Sequence, residues 1–298
     1  MINVIVPTVR KESLEQFLKA WMPIFNKHDV YLYIVHDGEK PYVEYDGYLI
    51  GIGTRYLHKE EKKVQKVIYN KNDGVRNYGF WLADMMSPPV ADVFFITLDD
   101  DTLPIGDPIQ DHIDALNKKV PVSWINTAGD DYMRGFPYCV REEAEVVLSH
   151  GVWEGVKDWD APTQLVNGNK DVTFFKGAIP KGVYYPMCGM NIAFKRKMLP
   201  YMYYAPMGYK VGMDRFADIW LGITSKRIID EKGWAVVTGY AKVQHDRASN
   251  VWKNLQKEAK GLEANEGFWR GDLAGYEDYF KMYAEKRKLW EDLINGQV

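Results

Sequence analysis

Three consecutive aspartates close the most informative stretch of this sequence. The run from Val93 to Leu98 is apolar and strand-like, and Asp99, Asp100 and Asp101 follow it. Ligands of α/β enzymes bind at the carboxyl edge of the sheet, where carboxylates can act as hard oxygen ligands. Because side chains alternate along a strand, we expect Asp99 and Asp101 on one side and Asp100 on the other. The pattern predicts a site for a divalent cation and a diphosphate, with a solvated acidic turn or a helix N-cap as the alternative.

The elements that must hold these aspartates alternate along the first half of the chain. Apolar runs predict further strands over residues 2–6, 31–35, 48–51 and 120–125. Apolar residues at helical spacing predict helices over residues 13–21, 64–85 and 109–116. The second of these helices is expected to be interrupted near Asn72 to Gly74. Such alternation predicts an α/β fold of the Rossmann type, with a doubly wound and mostly parallel sheet.

The second half of the chain is interpreted as loops followed by a helix. Glycine and proline interrupt residues 159–190, which is typical of substrate-binding loops. Near the end, large apolar side chains recur at helical spacing at Tyr276, Phe280, Tyr283, Trp290 and Leu293. This stripe predicts an amphipathic C-terminal helix that packs on the domain or on a sister subunit rather than on a membrane.

Composition narrows the class of protein. The chain has 298 residues, of which 46% are hydrophobic, enough for a sizeable core. A formal net charge of −3 argues against nucleic acid as the main partner. Only two cysteines occur, no apolar run is long enough for a membrane span, and Met1 leads directly into a strand rather than a signal sequence. We therefore expect a soluble cytoplasmic protein.

Nine blocks spread along the chain carry a family resemblance. They are Val4–Arg10, His36–Gly38, Arg76–Phe80, Phe95–Asp101, Arg134–Tyr138, Ser149–Trp153, Asp158–Leu165, Pro186–Phe194 and His245–Asn250. With these blocks the chain resembles the reversibly glycosylated polypeptides, the UDP-arabinopyranose mutase family best known from plants. The resemblance implies a GT-A-like fold, with residues 1–262 as the nucleotide-sugar-binding catalytic domain and residues 263–298 as a C-terminal helical appendage.

One departure from the family pattern bears on the reaction. The plant proteins read Arg-Tyr-Asp-Asp-Met-Trp before a late tryptophan, whereas this chain reads Arg215-Phe-Ala-Asp-Ile-Trp220. Ala217 therefore replaces one of two adjacent acids, and Asp218 remains. This difference concerns the sugar and the reaction rather than the fold.

The resemblance implies a uridine diphosphate site at the strand ends. Asp37 would accept the N3–H hydrogen bond of uracil, although an aspartate before Gly38 also suits a turn. Thr8 and Arg10 would contact the uridine or the diphosphate, and Arg76 would bind phosphate oxygens, with a surface ion pair as its alternative role. The matching blocks add four substrate-binding candidates: Asp100, Cys188, Gly189 and Asn191.

The resemblance also implies a metal bound by Asp99, Asp101 and His245. An imidazole ligand favours Mn²⁺, with Mg²⁺ as the alternative, although a lone histidine is more often an ordinary core or surface residue. The metal would act as a Lewis acid on the diphosphate leaving group. The sequence contains no glycine-rich dinucleotide fingerprint, so we expect no flavin or NAD.

The remaining candidates concern the sugar chemistry. Arg141 matches the arginine that the family glycosylates reversibly. Because a protonated guanidinium is a poor nucleophile, stabilisation of the released diphosphate is an equally physical role. Asp158, Asp160 and Asp218 would orient sugar hydroxyls or shuttle protons, and each also suits a helix cap or an arginine partner.

Together these features predict a UDP-sugar enzyme. The first interpretation is a flavin-independent, metal-dependent mutase that interconverts UDP-L-arabinopyranose and UDP-L-arabinofuranose, breaking the anomeric C–O bond and reclosing the sugar while UDP is retained. A glycosyltransferase acting on a separate acceptor stays open. So does a non-catalytic UDP-sugar-binding subunit of a hetero-oligomer, because Ala217 replaces an acid. A homo-oligomer is expected for the mutase.

Overall fold

One large sheet organises the chain in the computed structural model. The structure describes residues 1–38, 41, 47–90, 92–124, 132–141, 143–168, 170–208, 211–246 and 250–296. The strands are β1 Ile2–Thr8, β2 Val30–His36, β3 Leu49–Gly53, β4 Phe94–Leu98, β5 Thr102–Ile105, β6 Lys119–Val120, β7 Ala144–Gly155, β8 Gly177–Ala178, β9 Asn191–Lys195 and β10 Ala235–His245. The helices are α1 Lys11–Lys27, α2 Lys62–Gln65, α3 Arg76–Met86, α4 Pro108–Leu116, α5 Ala161–Asn167, α6 Ala217–Glu231, α7 Val251–Arg270 and α8 Glu277–Ile294.

The strand order is β3-β2-β1-β4-β9-β7-β10-β5, with β6 paired to β7 and β8 paired to β10. The first four strands of this order are parallel, and β7 and β10 form a second long parallel pair. Strand β9 is antiparallel to both β4 and β7, and β5 is antiparallel to β10. The predicted α/β fold with its Rossmann-type parallel half is confirmed, and antiparallel strands join its two parallel groups.

Helices cover both faces of this sheet, as a doubly wound fold requires. On one face, α1 buries Phe17, Trp21 and Phe25 at helical spacing, in a cluster that also includes Leu116 of α4. On the other face, the core is built from α3, α6 and α8, with Phe80, Trp220 and Trp290 fully buried. Because both faces are covered, polar side chains can cluster only at the edges of the sheet where the strands begin and end.

The C-terminal helix packs on this second core. Helix α8 buries Tyr279, Phe280, Tyr283, Trp290 and Leu293. The indole of Trp290 donates a hydrogen bond of 2.9 Å to the carbonyl oxygen of Leu199. The expected amphipathic C-terminal helix is therefore present, and it packs on the domain. The boundary proposed between residues 262 and 263 lies inside α7, and the division into two units stays a prediction. In the described ranges no helix is long and apolar enough to cross a membrane.

Two predicted elements differ from the structure. The interrupted helix over residues 64–85 is two separate helices, α2 and α3, because Asn72 starts a new turn by accepting a hydrogen bond from the Gly74 N–H at 2.8 Å. The strand predicted over residues 120–125 is only the end of β6. Pro121 follows immediately and has no N–H to continue the ladder. Ile125 lies outside the described residues.

Candidate active site

Strand direction brings distant parts of the chain to one edge of the sheet. Strands β1, β2 and β4 are parallel, so Thr8, His36 and Leu98 end at the same edge. Leu98 faces Asn191 at the start of the antiparallel β9, and His245 faces Gly155 where β10 and β7 end. The segments that follow β4 and β7 and precede β9 must therefore meet at this edge.

A cleft of about 400 Å³ opens there. Its volume is in the range of small-molecule sites. The lining side chains come from seven segments: Arg10; Lys71, Asn72, Asp73 and Arg76; Asp99 and Asp101; Asp158, Trp159 and Asp160; Cys188, Gly189 and Met190; Asp214, Arg215, Phe216, Asp218 and Ile219; and His245, Lys257 and Glu258. Eight carboxyl groups face five arginine or lysine side chains, so the cleft has a formal excess of three negative charges.

The three aspartates diverge as strand alternation suggests. Asp99 and Asp101 line the cleft, whereas Asp100 is buried beneath it. Asp100 accepts a hydrogen bond of 2.6 Å from the Thr8 hydroxyl and forms an ion pair with Arg10. The same guanidinium reaches Asp101 at 3.1 Å and keeps about a third of its side chain exposed. Thr8 and Asp100 therefore position Arg10. Of these three residues, Arg10 is the one that a ligand can reach.

Asp101 and His245 face one another across the end of the sheet. Strand β5 aligns Thr102 with His245, and the His245 Nε2 lies 3.9 Å from Asp101 Oδ1. His245 Nδ1 is 2.9 Å from the carbonyl oxygen of Val156, which can only accept, so Nδ1 carries a proton. In the neutral ring, Nε2 then carries the lone pair, 3.9 Å from Asp101 Oδ1. Asp101 Oδ1 is buried and has no hydrogen-bond partner.

Arg76 is a buried cation rather than a free phosphate ligand. It donates from Nε to the Thr97 hydroxyl at 3.1 Å, forms an ion pair with Asp99 and lies 3.5 Å from Asp73. Its guanidinium also lies 5.2 Å from the ring centre of Tyr204. Only 5% of Arg76 is exposed, so its main structural effect is to fix the orientation of Asp99.

A compact cluster of three side chains also lines the cleft. The side-chain ligand atoms of Asp158, Cys188 and Asp218 all lie within 4.8 Å of one another. Asp218 stands in the first turn of α6 and accepts hydrogen bonds from the Gly189 N–H at 2.9 Å and the Ile219 N–H at 3.0 Å. Burial, together with the charges of Asp73 and Asp158, raises the pKa of Asp218 to about 7, against the lowering effects of the Gly189 hydrogen bond and of Arg76.

The segment before β9 is held from below by a histidine. His150 Nε2 accepts the Cys188 N–H at 3.0 Å, and its Nδ1 lies 2.9 Å from the Tyr185 hydroxyl. Burial lowers the pKa of His150 to about 3, so the ring is neutral and can accept this backbone bond. This contact fixes the Cys188–Gly189 backbone, and with it the N–H that binds Asp218.

Two other predicted residues have structural roles in the contacts described. Asp160 is the N-cap of α5, where it accepts hydrogen bonds from the backbone and the hydroxyl of Thr163 at 2.9 and 2.8 Å. Asp37 accepts from the Lys71 N–H at 2.8 Å and from the Thr54 hydroxyl at 3.1 Å. Asp160 still lines the cleft, whereas Asp37 supports the Lys71 segment beside it.

Asn191 and Arg141 are not brought into the cleft. Asn191 is fully buried, accepts a hydrogen bond from His112 at 2.8 Å and donates to the Val152 carbonyl at 3.3 Å. The Arg141 guanidinium lies 3.8 Å from the ring centre of Tyr138 and donates to the Phe136 carbonyl at 3.1 Å. Arg141 therefore belongs to a neighbouring aromatic loop in this structure.

Several cleft residues had no sequence signal. Glu258 of α7 is buried and accepts the Ala161 N–H at 2.6 Å, and its other oxygen accepts from Arg215 at 2.7 Å. Arg215 has a φ of +66°, a backbone conformation that non-glycine residues rarely adopt. Trp159 was expected only as part of a loop, and Lys257 appears as one charge in a helix. Two signals were available: the Asp158–Leu165 block carries Trp159 beside two acids, and the segment compared with the family pattern begins at Arg215.

A second depression, of about 550 Å³, lies at the opposite edge of the sheet. It is lined by residues at the start of β4 and the end of β9, including Phe94 and Lys195. None of the predicted site residues lines it. The chemistry predicted from the sequence therefore belongs to the cleft at the carboxyl edge.

Comparison with known proteins gives consistent similarities in sequence. A sequence model of the family "Reversibly glycosylated polypeptide" matches residues 1–270. The chain is 34% identical over 296 residues to probable UDP-arabinopyranose mutase 4 of Arabidopsis thaliana, covering 92% of this chain and 76% of that protein. It is 33% identical to probable UDP-arabinopyranose mutase 1 of Pisum sativum, covering 91% and 76%. It is 31% identical to UDP-arabinopyranose mutase 1 of Arabidopsis thaliana, covering 95% and 80%.

Similarities to solved structures are weaker. The catalytic domain of Drosophila beta1,4-galactosyltransferase 7 in complex with xylobiose is 11% identical, with a TM-score of 0.39, covering 85% of this chain and 72% of that one. The inositol-1-phosphate CTP transferase from T. maritima is 13% identical, with a TM-score of 0.33, covering 86% and 95%. These scores are too low to indicate an activity.

Proposed function

The chain belongs to the reversibly glycosylated polypeptide family, and from this membership we propose that it is a UDP-arabinopyranose mutase. In this proposal it interconverts the pyranose and furanose forms of UDP-L-arabinose without a flavin. The curated relatives that carry this name match more than 90% of the chain and about three quarters of their own length. The observation that best supports the proposal within the molecule is the pairing of Asp101 with His245 in an acidic cleft.

The charge of the cleft supports the need for a cation. A diphosphate brings negative charge into a cleft that already has three more carboxyl groups than arginines and lysines. Most of the positive side chains are already committed, since Arg10, Arg76 and Arg215 are each paired with a carboxylate. Like charges repel strongly at short range when they are partly withdrawn from water. A bound divalent ion would remove this repulsion.

Two of the predicted ligands fit such an ion. Asp101 Oδ1 is buried without a hydrogen-bond partner and lies 3.9 Å from His245 Nε2, so the two atoms offer one oxygen and one nitrogen ligand. Asp99 also lines the cleft, but Arg76 engages one of its oxygens, and it forms no compact ligand group with these two residues. Burial and the Asp99 charge raise the pKa of Asp101, as expected for crowded carboxyls without a cation. A nitrogen ligand favours Mn²⁺ over Mg²⁺. When bound, the ion would stabilise the diphosphate as a leaving group.

The rest of the cleft suits a nucleotide sugar. In the proposal, Arg10 contacts the diphosphate, held in place by Thr8 and Asp100. Asp37 would meet the uracil ring at the end of β2. The backbone of Cys188 and Gly189 would form the wall beside the sugar. Asn191 would support this wall indirectly, through its buried hydrogen bonds to His112 and Val152. Arg76 acts on Asp99 in this account rather than on phosphate.

The proposed route keeps UDP and the sugar together. The anomeric C–O bond breaks, the sugar changes its ring oxygen, and the bond to UDP forms again. Arg141 would stabilise the released diphosphate only if its loop approaches the cleft, because its present contacts are with Tyr138 and Phe136. We also propose that the protein is a homo-oligomer and is located in the cytoplasm. Cys139 and Cys188 are both free thiols, as a reducing compartment would allow.

The non-catalytic alternative loses its main support. Ala217, which replaces an acid of the plant pattern, is fully buried in the core, whereas Asp218 is the residue of this pair that lines the cleft. The replacement therefore leaves the acidic wall of the cleft in place. A transferase acting on a separate acceptor uses the same donor site and remains the competing activity.

The test is incubation of the purified protein with UDP-arabinopyranose and Mn²⁺, followed by chromatographic separation of the products. A mutase converts part of the substrate into UDP-arabinofuranose with no acceptor present. A transferase alone would release UDP slowly or leave the substrate unchanged. Mutase activity that persists in excess chelator would remove the metal from the proposal.

A further inference from the structure

We propose that Asp158 and Asp218 form the acid–base pair that moves a proton between two sugar oxygens when the ring changes size. This inference rests on the proposed mutase activity and names the groups that perform one of its steps. It assigns these two residues a different task from that of Asp99, Asp101 and His245.

The chemistry requires such a pair. When a pyranose becomes a furanose, the bond from C1 to O5 breaks and the bond from C1 to O4 forms. O5 gains a proton and becomes a hydroxyl, while the O4 hydroxyl loses its proton and becomes the ring oxygen. No net proton or electron is gained or lost. Two carboxyl groups that hold one proton between them can donate at one oxygen and accept at the other, and the pair ends with the same charge.

The geometry places two carboxyl groups suitably. Asp158 follows β7 and Asp218 begins α6, and both line the cleft within 4.8 Å of each other and of the Cys188 sulfur. Both oxygens of Asp218 are fixed by backbone N–H groups, from Gly189 and Ile219. Asp218 is therefore held in one orientation, as a proton donor to a bound sugar must be.

The surroundings favour one shared proton. Burial raises the pKa of Asp218 to about 7, so that near neutral pH this carboxyl is partly protonated. Three further groups face it: Asp73 and Asp158 raise its pKa, and Arg76 lowers it. The Tyr204 hydroxyl is buried beside it, and the negative charges of Asp218 and Asp99 add to the raised pKa of that phenol. The nearby negative charge of Asp158 therefore favours the protonated form of Asp218.

The protonation state of Cys188 distinguishes this cluster from a typical metal site. Burial raises the pKa of its thiol well above the ordinary value, and the charges of Asp158 and Asp218 raise it further. The thiol is therefore neutral and is hydrogen-bonded to Asp158. A neutral thiol is a poor metal ligand, since metals bind the thiolate. Both Asp218 oxygens are also already engaged by N–H groups. The neutral thiol and the engaged oxygens leave a cation fewer free ligand atoms at this position.

The test separates bond cleavage from the change of ring. UDP-arabinopyranose carries ¹⁸O between the anomeric carbon and the β-phosphorus and is incubated with Mn²⁺ and wild type, Asp158→Asn or Asp218→Asn. Scrambling of the label into the non-bridging phosphate oxygens, followed by ³¹P NMR, reports cleavage and re-formation of the anomeric bond. Chromatography of the two UDP-arabinose forms reports the change of ring. Asp111→Asn is the matched control, an aspartate in the first turn of α4 on a different helix.

In each variant, Asp158→Asn or Asp218→Asn, the rate of the change of ring should fall by ~10²–10⁴-fold, the usual contribution of a positioned acid or base. Isotope scrambling should fall by less than about tenfold, because the anomeric bond breaks before the proton is exchanged. In the wild type, the change of ring should slow as the pH rises above about 7, where Asp218 loses its proton, while scrambling continues. This pH profile is measured on wild type, so the proposal can still be tested if Asp218→Asn fails to fold. The Asp111→Asn control should match wild type in both readouts.

Other outcomes overturn the assignment. If both readouts fall in equal proportion in folded variants, the pair acts in bond cleavage or in binding. If the change of ring is unaffected, the pair has no role in it. If the wild type scrambles the label and yet never forms the furanose, the mutase proposal itself fails, and the pair fails with it. By contrast, normal ring interconversion by wild type and by both variants would refute only the role of the pair and leave the mutase proposal in place.

Discussion

His245→Ala tests the metal site through stability rather than through turnover. His245 is 3% exposed, and its Nδ1 hydrogen bond to the Val156 carbonyl ties the end of β10 to the segment after β7. The substitution leaves that carbonyl without its partner and removes the nitrogen that faces Asp101. Two effects are expected, one present without metal and one visible only with metal.

The first effect follows from the lost hydrogen bond. Leaving a buried acceptor unsatisfied costs about 1–3 kcal/mol, so the variant should unfold more easily without metal. The second follows from linkage, because a ligand that binds only the folded state at about 100 times its Kd stabilises it by about 2.7 kcal/mol. Wild type should gain this stabilisation from Mn²⁺ and His245→Ala should gain little of it.

The assay is thermal unfolding with and without Mn²⁺ at a series of concentrations, with UDP absent. His58→Ala is the control, since His58 also has its Nδ1 beside a backbone carbonyl, that of Arg55 at 2.7 Å, and lies outside the cleft. His58→Ala should respond to Mn²⁺ as wild type does. The reasoning is refuted if His245→Ala is stabilised by Mn²⁺ as much as wild type is, or if wild type shows no response.

Three further predictions concern the base, the arginine and pH. Asp37→Asn should weaken UDP binding by about 1–3 kcal/mol if the carboxylate accepts the uracil N3–H, and equal affinities by calorimetry would return Asp37 to its role of supporting Lys71. Arg141→Ala and Arg141→Lys should both lower the mutase kcat by at least ~10²-fold if the planar fork contacts the diphosphate, whereas a normal Arg141→Ala rate would leave the residue in its aromatic loop. Burial lowers the pKa of His112 and His150 to about 4 and about 3, below the usual value of about 6.5, so the stability they contribute is present above about pH 6.5 and is lost as the pH falls toward these values. Urea unfolding between pH 7 and pH 4 should show a smaller loss of stability in His150→Gln than in wild type, because the carboxyl groups titrate alike in both proteins; equal losses would contradict the prediction.

The strand ends were predictable because their signal is local. An apolar run followed by acids identifies β4 and its aspartates, and parallel pairing places Thr8, His36 and Leu98 at one edge. The division between Asp99 and Asp101 on one side and Asp100 on the other also follows from alternation alone. These inferences need only the residue pattern and the direction of neighbouring strands.

The rest of the cleft depends on long-range register. Asp158, Cys188 and Asp218 meet because β9 runs antiparallel between β4 and β7, which no local pattern reveals. For the same reason Asn191, which belongs to a highly specific block, turns out to serve a buried network with His112. A block shared with a family shows that a residue matters, while the structure shows whether it reaches the ligand or supports one that does.

Burial decides the roles of the charged residues. Arg76 was expected to bind phosphate because guanidinium groups suit phosphate oxygens, but its side chain is almost fully buried and is engaged by Thr97 and Asp99. Its Tyr204 contact comes from a segment more than a hundred residues away in the chain. Sequence pattern gives the chemical type of such a side chain, and only tertiary packing gives its partners.

The central claim is that this chain recloses the same sugar on the same UDP. The most direct measurement starts two reactions with Mn²⁺ and no acceptor, one from UDP-arabinopyranose and one from UDP-arabinofuranose, and follows both by chromatography. The account predicts that the two reactions converge on the same mixture of both forms, with little free UDP. Release of UDP alone from either form, or no conversion of either, would contradict it.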